Sequence, residues 1–97
     1  MAAYIIAELE VTDAAGFEEY RKQVSATIQK YGGHYVIRGG ATDTLEGGWA
    51  PKRLVVIEFS SAEQARRWYD SEEYRAPKAL RIKCTRSRVL LAEGVSS

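Results

Sequence analysis

Three titratable side chains, His34, Arg38 and Glu58, sit at alternating positions of two short apolar runs, H-Y-V-I-R and L-V-V-I-E-F. Alternate residues of an extended chain share a face. Glu8, in Y-I-I-A-E-L, falls on the same side when the runs pair. A partly buried His–Glu pair can move a proton near neutral pH. The same charges can equally do no more than satisfy one another at an interface, since structural ion pairs perturb titration as catalytic ones do. Register decides whether His34 or Arg38 stands beside Glu58, and the long segment between the runs leaves it open. His34, Arg38 and Glu58 are the candidate catalytic residues.

Aromatic side chains make a second group. Trp49, Trp68, Tyr69 and Tyr74 gather around a Gly-rich segment and a helical pattern. They can line an apolar pocket with hydroxyl tips, the usual make-up of a small-molecule site. Aromatics at helical spacing also build cores, which is the simpler reading of Trp68. Trp49 lies among glycines, where packing does not obviously demand it, and fits either a pocket lid or an anchor between subunits. Trp49, Tyr69, Tyr74 and Arg81 are the candidate ligand-binding residues.

Other features carry less chemistry. Arg75, Lys78, Arg81, Lys83, Arg86 and Arg88 are six cations with no acid between Arg75 and Arg88. Such a run is more commonly a solvated face than a nucleic-acid stripe. The glycine pairs 32–33, 39–40 and 47–48 lack the Lys-Ser or Lys-Thr of a phosphate loop and are turn punctuation. Cys84 reads as a packed helix residue. One His and one Cys make a metal site unexpected.

The elements that must hold these residues are legible from periodicity. Tyr4 to Val11 reads as a strand. Asp13 or Thr12 can cap a helix from about Ala14 to Tyr31, where Phe17, Tyr20, Val24, Ile28 and Tyr31 form one apolar stripe. Gly32-Gly33 ends it. His34 to Arg38 is a second strand, and a weak strand is expected at Thr42 to Leu45. Leu54 to Phe59 is a third. Ser60 with Glu63, or Ser61 with Gln64, makes a capping box for a second helix carrying Ala65, Trp68 and Tyr69. Ser71 caps a further helical turn, Pro77 kinks the path or begins another short helix to about Lys83, and Arg88 to Glu93 is the last strand. From Gly94 onward a tail is expected.

That order is strand-helix-strand-strand-helix-strand, a ferredoxin-like βαββαβ domain of the α+β class spanning 1–97, with a four-stranded antiparallel sheet. Right-handed crossovers put the first and third strands at its centre. Ile5, Ala7, Leu9, Val55, Ile57 and Phe59 belong under the helices. The opposite face, with Tyr4, Ile6, Leu54 and Val56, is still largely apolar, and predicts a homodimer packed sheet to sheet.

Composition bounds the function. The chain has 97 residues with 14 Lys and Arg against 13 Asp and Glu, a net charge of +1, which argues against a polyanion partner. A single cysteine fits a reducing compartment. Neither a basic export leader nor a run long enough to span a bilayer is present, so a cytoplasmic protein without a membrane partner is expected.

Gly32-Gly33-His34-Tyr35, Arg38-Gly39-Gly40, Leu45-Glu46-Gly47-Gly48-Trp49-Ala50-Pro51-Lys52-Arg53, Val56-Ile57-Glu58-Phe59 and Trp68-Tyr69-Asp70-Ser71-Glu72-Glu73-Tyr74 together resemble the domain of unknown function 1330 family (DUF1330) over nearly the whole chain. The resemblance implies a dimeric α+β barrel, a superfamily that also holds cofactor-free monooxygenases, haem-degrading enzymes, muconolactone isomerases and regulatory domains. It implies no settled reaction and no established catalytic residues, and no cofactor is expected. It makes Arg81 a plausible holder of a ligand carboxylate. His34 stands where the family more usually has Arg or Lys, and Pro77 where a helix-compatible residue is expected. Two readings stand: a homodimer that binds a small, partly apolar ligand or performs cofactor-free proton-transfer or oxygenation chemistry, and a non-catalytic binding or assembly module whose charges serve only the interface.

Overall fold

A computed structural model describes residues 1–95. The chain runs β1 (Ala3–Val11), α1 (Ala14–Lys30), β2 (His34–Arg38), β3 (Leu54–Phe59), α2 (Ala62–Tyr69), α3 (Glu72–Cys84) and β4 (Thr85–Glu93). All pairings are antiparallel, in the order β2-β3-β1-β4, so the two most apolar strands take the centre. The expected tail begins at Gly94; its last residues, Ser96 and Ser97, lie outside the described residues.

Strand parity sets the two sides of the sheet. Ile5, Ala7, Leu9, Val55, Ile57 and Phe59 are buried under the helices. On the other side Ile6 faces Val56 on one neighbour and Leu90 on the other. Leu90 is 57% exposed, and Ile37 and Val36 are also in solvent. The open face is therefore apolar at its centre, as its sequence demands.

The helix starts follow cap chemistry. The Asp13 carboxylate accepts from Gly16 N at 3.2 Å, and Ser61 Oγ accepts from Gln64 N at 3.1 Å. Gln64 does not return the bond to complete a capping box; its amide donates to the Tyr31 carbonyl at 2.8 Å and ties α2 to the end of α1. The α1 stripe buries Phe17, Tyr20, Val24 and Ile28, and Gly32, at φ +78°, takes the left-handed conformation that ends the helix.

Three expectations change. No strand forms at 42–45, where every residue is exposed. Pro77 neither kinks the chain into two helices nor starts one. It lies within α3, whose buried stripe of Tyr74, Pro77, Arg81 and Cys84 holds the helix together across the missing amide. β4 begins at Thr85 rather than Arg88, because the polar T-R-S-R segment pairs with the equally polar end of β1, Glu10 against Arg86 and Glu8 against Arg88.

The fourth change moves a candidate site residue. His34 pairs with Glu58 and Tyr35 with Ile57, but Ile37 pairs with Val56 and Arg38 with Val55. Val36 is a β-bulge, one residue more on β2 than on β3. Beyond it the parity of β2 inverts. Arg38 was expected beside His34 on the open face, and instead lies on the side covered by helices.

Candidate functional site

Two constellations follow from this layout. The first is a cavity of about 40 Å³ between the sheet and the helix layer. Ile5, Ala7, Val55 and Ile57 make its floor, and Phe17, Tyr20 and Val24 of α1 hang over it. Trp68 and Tyr69 come from α2, Tyr74 and Arg81 from α3. The aromatic wall is continuous: Trp68 stacks on Tyr74 at 4.1 Å between ring centroids, and Phe59 lies 5.5 Å from Trp68. The Trp68 indole is satisfied, donating to Thr27 Oγ1 at 3.0 Å, while that hydroxyl donates to the Val24 carbonyl at 2.7 Å.

The polar part of the cavity is a relay. The Tyr20 and Tyr74 hydroxyls are 2.9 Å apart, Arg81 Nε donates to Tyr74 at 3.3 Å, and Arg81 Nη1 donates to Ser87 Oγ at 2.6 Å. Burial pushes the Tyr20, Tyr74 and Tyr35 phenols above their ordinary value. They are therefore neutral donors at physiological pH, able to polarise an oxygen but not to take a proton from carbon. Arg21, Arg38 and Arg53 complete the rim, and among the described residues no Asp or Glu side chain lines the cavity.

The second constellation is on the open face. His34 Nε2 lies 2.9 Å from Glu58 Oε1, and the Tyr4 hydroxyl donates to Glu58 Oε2 at 2.9 Å. Register thus gives Glu58 to His34. Hydrogen bonding to Glu58 raises the Tyr4 phenol. Farther along the same face, Trp49 Nε1 donates to Glu8 Oε2 at 3.0 Å and Arg88 Nε to Glu8 Oε1 at 2.9 Å, which hold the Glu8 carboxyl below its ordinary range.

The candidate residues consequently divide. His34 and Glu58 meet on the open face, and Trp49, 57% exposed, lies on that side through Glu8. Tyr69, Tyr74, Arg81 and Arg38 line the cavity. Sequence reasoning missed Tyr20, Tyr35 and Arg53. Tyr20 looks like any other member of the α1 stripe. Arg53 and Tyr35 had a signal, since each shares the parity of buried neighbours, Arg53 with Val55 and Ile57, Tyr35 with the helix-covered side. The cation run from Arg75 to Arg88 disperses: Arg75 reaches Glu72, Lys78 reaches Asp70 and lies over the Tyr69 ring, Arg86 reaches Glu10, and Arg81 turns inward. Cys84 is buried, as expected of a packing residue.

The family described as Domain of unknown function (DUF1330) matches residues 2–95. The chain belongs to the DUF1330 family. No protein with a curated description matches it. Among solved structures it is similar to RPA0582, a protein of unknown function from Rhodopseudomonas palustris, with a TM-score of 0.77 at 14% identity over 99% of this chain and 84% of that one. The methylated form of RPA0582 gives 0.78 at 14% identity, over 98% and 82%. SnoaB, a cofactor-independent oxygenase from Streptomyces nogalater, gives 0.67 at 14% identity over 99% of this chain and 95% of its own. At that identity the likeness is one of fold. The ferredoxin-like α+β architecture of this DUF1330 chain is thus shared with a protein that does chemistry and with one of unknown function. No helix among the described residues is long and apolar enough to cross a membrane.

Proposed function

We propose that this DUF1330 protein is a homodimer that binds a small, partly apolar molecule in the cavity between its sheet and helices. One observation carries the reading: an aromatic and aliphatic chamber closes around a preformed row of donors, Tyr20, Tyr74 and Arg81. Cavities of that make-up are the usual small-molecule sites. Donors fixed before a ligand arrives need no reorganisation to stabilise negative charge on it. The catalytic form of the reading is cofactor-free polarisation or oxygenation of the bound molecule, the class to which SnoaB, with this fold, belongs. The dimer is supported by Ile6, Val56 and Leu90 at the centre of the uncovered sheet face, where an apolar surface is best removed from water by a second copy.

A thermal-shift screen of small acids and aromatic metabolites tests the binding reading. Saturable stabilisation is expected, abolished by Ala7→Leu, which fills the cavity from its floor, and retained by Glu58→Gln on the open face. Oxygen uptake with a hit then distinguishes an oxygenase from a binder. A second reading rests on His34, Glu58 and Tyr4, whose linked side chains sit where a partner sheet would cover them. Under it the protein is an assembly module, and Glu58→Gln changes dimer affinity while no small molecule stabilises the wild type.

A further inference from the structure

Resting on the cavity reading, the charge inventory around that chamber identifies the class of ligand. Four guanidinium groups line it, from Arg21, Arg38, Arg53 and Arg81, against no carboxylate among the described residues. The four are not equally engaged. Arg81 donates to Tyr74 and Ser87, and Arg21 pairs with Glu18 at 3.5 Å. Arg38 has a bond to Ser25 Oγ at 3.3 Å and the face of Tyr35 at 4.4 Å. Arg53 has the face of Phe17 at 5.2 Å, and its Nε is shut off from water with no acceptor, the one such buried side-chain polar atom among the described residues. Neither Arg38 nor Arg53 has a carboxylate within ion-pair distance among the described residues, although acids pair with cations elsewhere on the surface.

The backbone is arranged to keep Arg53 there. Gly39 follows the bulged strand at φ +71°, and a Cβ on it would lie 2.5 Å from Arg53 Cζ. The left-handed backbone favours glycine at that position, and a side chain there would push the guanidinium aside. The bulge at Val36 delivers Arg38 to the same side. Two irregularities of β2 thus bring two uncompensated cations to one chamber. A buried donor with no acceptor, in a lining that holds a second cation without an ion pair, is satisfied by a bound anion better than by a neutral molecule.

We infer that the cavity takes the carboxylate of a small organic acid, gripped by Arg53 and Arg38 with its apolar part toward Ile5, Ala7 and Trp68. A planar carboxylate matches the guanidinium fork in a two-point bond. A phosphate dianion is disfavoured, because the floor is aliphatic and stripping water from two charges costs more than from one. The chamber of about 40 Å³ has room for about three waters. It therefore suits a head group with a short chain, and a longer acid must extend past the exposed Arg21 and Arg38.

Isothermal titration calorimetry on the full chain at constant ionic strength tests this. The probes are sodium butyrate and sodium benzoate, their neutral counterparts butyramide and benzamide, and sodium phosphate. At least one acid is expected to bind ten-fold or more tightly than its amide and than phosphate. Arg53→Gln and the more exposed Arg38→Gln should each weaken the acid ten-fold or more and leave amide binding unchanged; Arg38→Gln keeps the test open if Arg53→Gln fails to fold. Equal binding of acid and amide overturns the anion while leaving the cavity reading in place, and phosphate binding in preference to acids also overturns it. Acid binding that survives Ala7→Leu places the site elsewhere and overturns it. If no probe binds, the inference is wrong, and a thermal-shift screen without hits removes the cavity reading as well.

Discussion

The hydroxyls of Tyr20 and Tyr74, 54 positions apart in sequence, meet at 2.9 Å inside the protein and join α1 to α3. Tyr74 also accepts from Arg81 Nε, so the two tyrosines are unequal partners. Tyr20→Phe removes one bond and should cost about 1 kcal/mol. Tyr74→Phe also leaves a buried guanidinium N–H without its acceptor, and should cost about 1–3 kcal/mol. Urea unfolding of both single variants and the double variant gives the coupling, expected above about 0.5 kcal/mol. Additive effects would mean that the hydroxyls do not communicate.

Assembly turns on the opposite side of the sheet. Ile6 lies against Val56 in the β1–β3 register, at the centre of the uncovered face. Val56→Asp should halve the mass measured by light scattering at micromolar concentration while helix and strand content persist by circular dichroism. A wild type that is already monomeric there would contradict the proposed dimer.

Acid should loosen one identifiable contact. Glu73 accepts from Lys30 Nζ and from the Tyr31 hydroxyl, the latter at 2.7 Å, and these bonds bring its carboxyl down to about 2 from an ordinary 4.5. A carboxyl held low in the folded state stabilises it above the unfolded pKa, and that stabilisation disappears as pH falls through the folded one. The melting temperature of Glu73→Gln should therefore lie below wild type at pH 6, with the gap closing between about pH 4.5 and 2. The group is solvent-reached, so 1 M salt should narrow the gap at pH 6. An unchanged gap at pH 2 would show that some other contact was lost.

The bulge makes its own prediction. Deleting Val36 removes the extra residue and leaves Ile37 opposite Val56 and Arg38 opposite Val55, still on the helix-covered side. The folded deletion variant should therefore keep the response to small acids that Arg38→Gln loses. A folded deletion variant without that response would mean that Arg38 does not act from its place opposite Val55.

How far the sequence could be read follows from the same residues. Strand parity along β1 and β3 placed Ile5, Ala7, Val55 and Ile57 under the helices, because an alternating apolar run has only one stable way to lie on a core. It failed on β2. A bulge is an extra residue accommodated by the ladder, and H-Y-V-I-R carries no Gly or Pro to announce one. That single omission put Arg38 with His34 and hid that it lines the cavity, as Arg53 does. Trp49 was ambiguous for another reason: the 39–53 segment has no period, so nothing but tertiary structure could place its indole against Glu8. Tyr69, Tyr74 and Arg81 come together at the cavity because Tyr74 and Arg81 share one buried face of α3 and Tyr69 ends α2 just before it, an alignment hidden in the sequence by Pro77.

The two tryptophans mark the two sides of the sheet, Trp68 in the cavity wall and Trp49 on the open face. Their indole N–H signals, assigned with Trp49→Phe, report ligand position directly in a heteronuclear NMR titration with sodium butyrate or benzoate. A saturable shift of the Trp68 indole with the Trp49 indole unmoved is the result expected. Movement of Trp49 alone, or of neither, would contradict a small-molecule site beneath the helices.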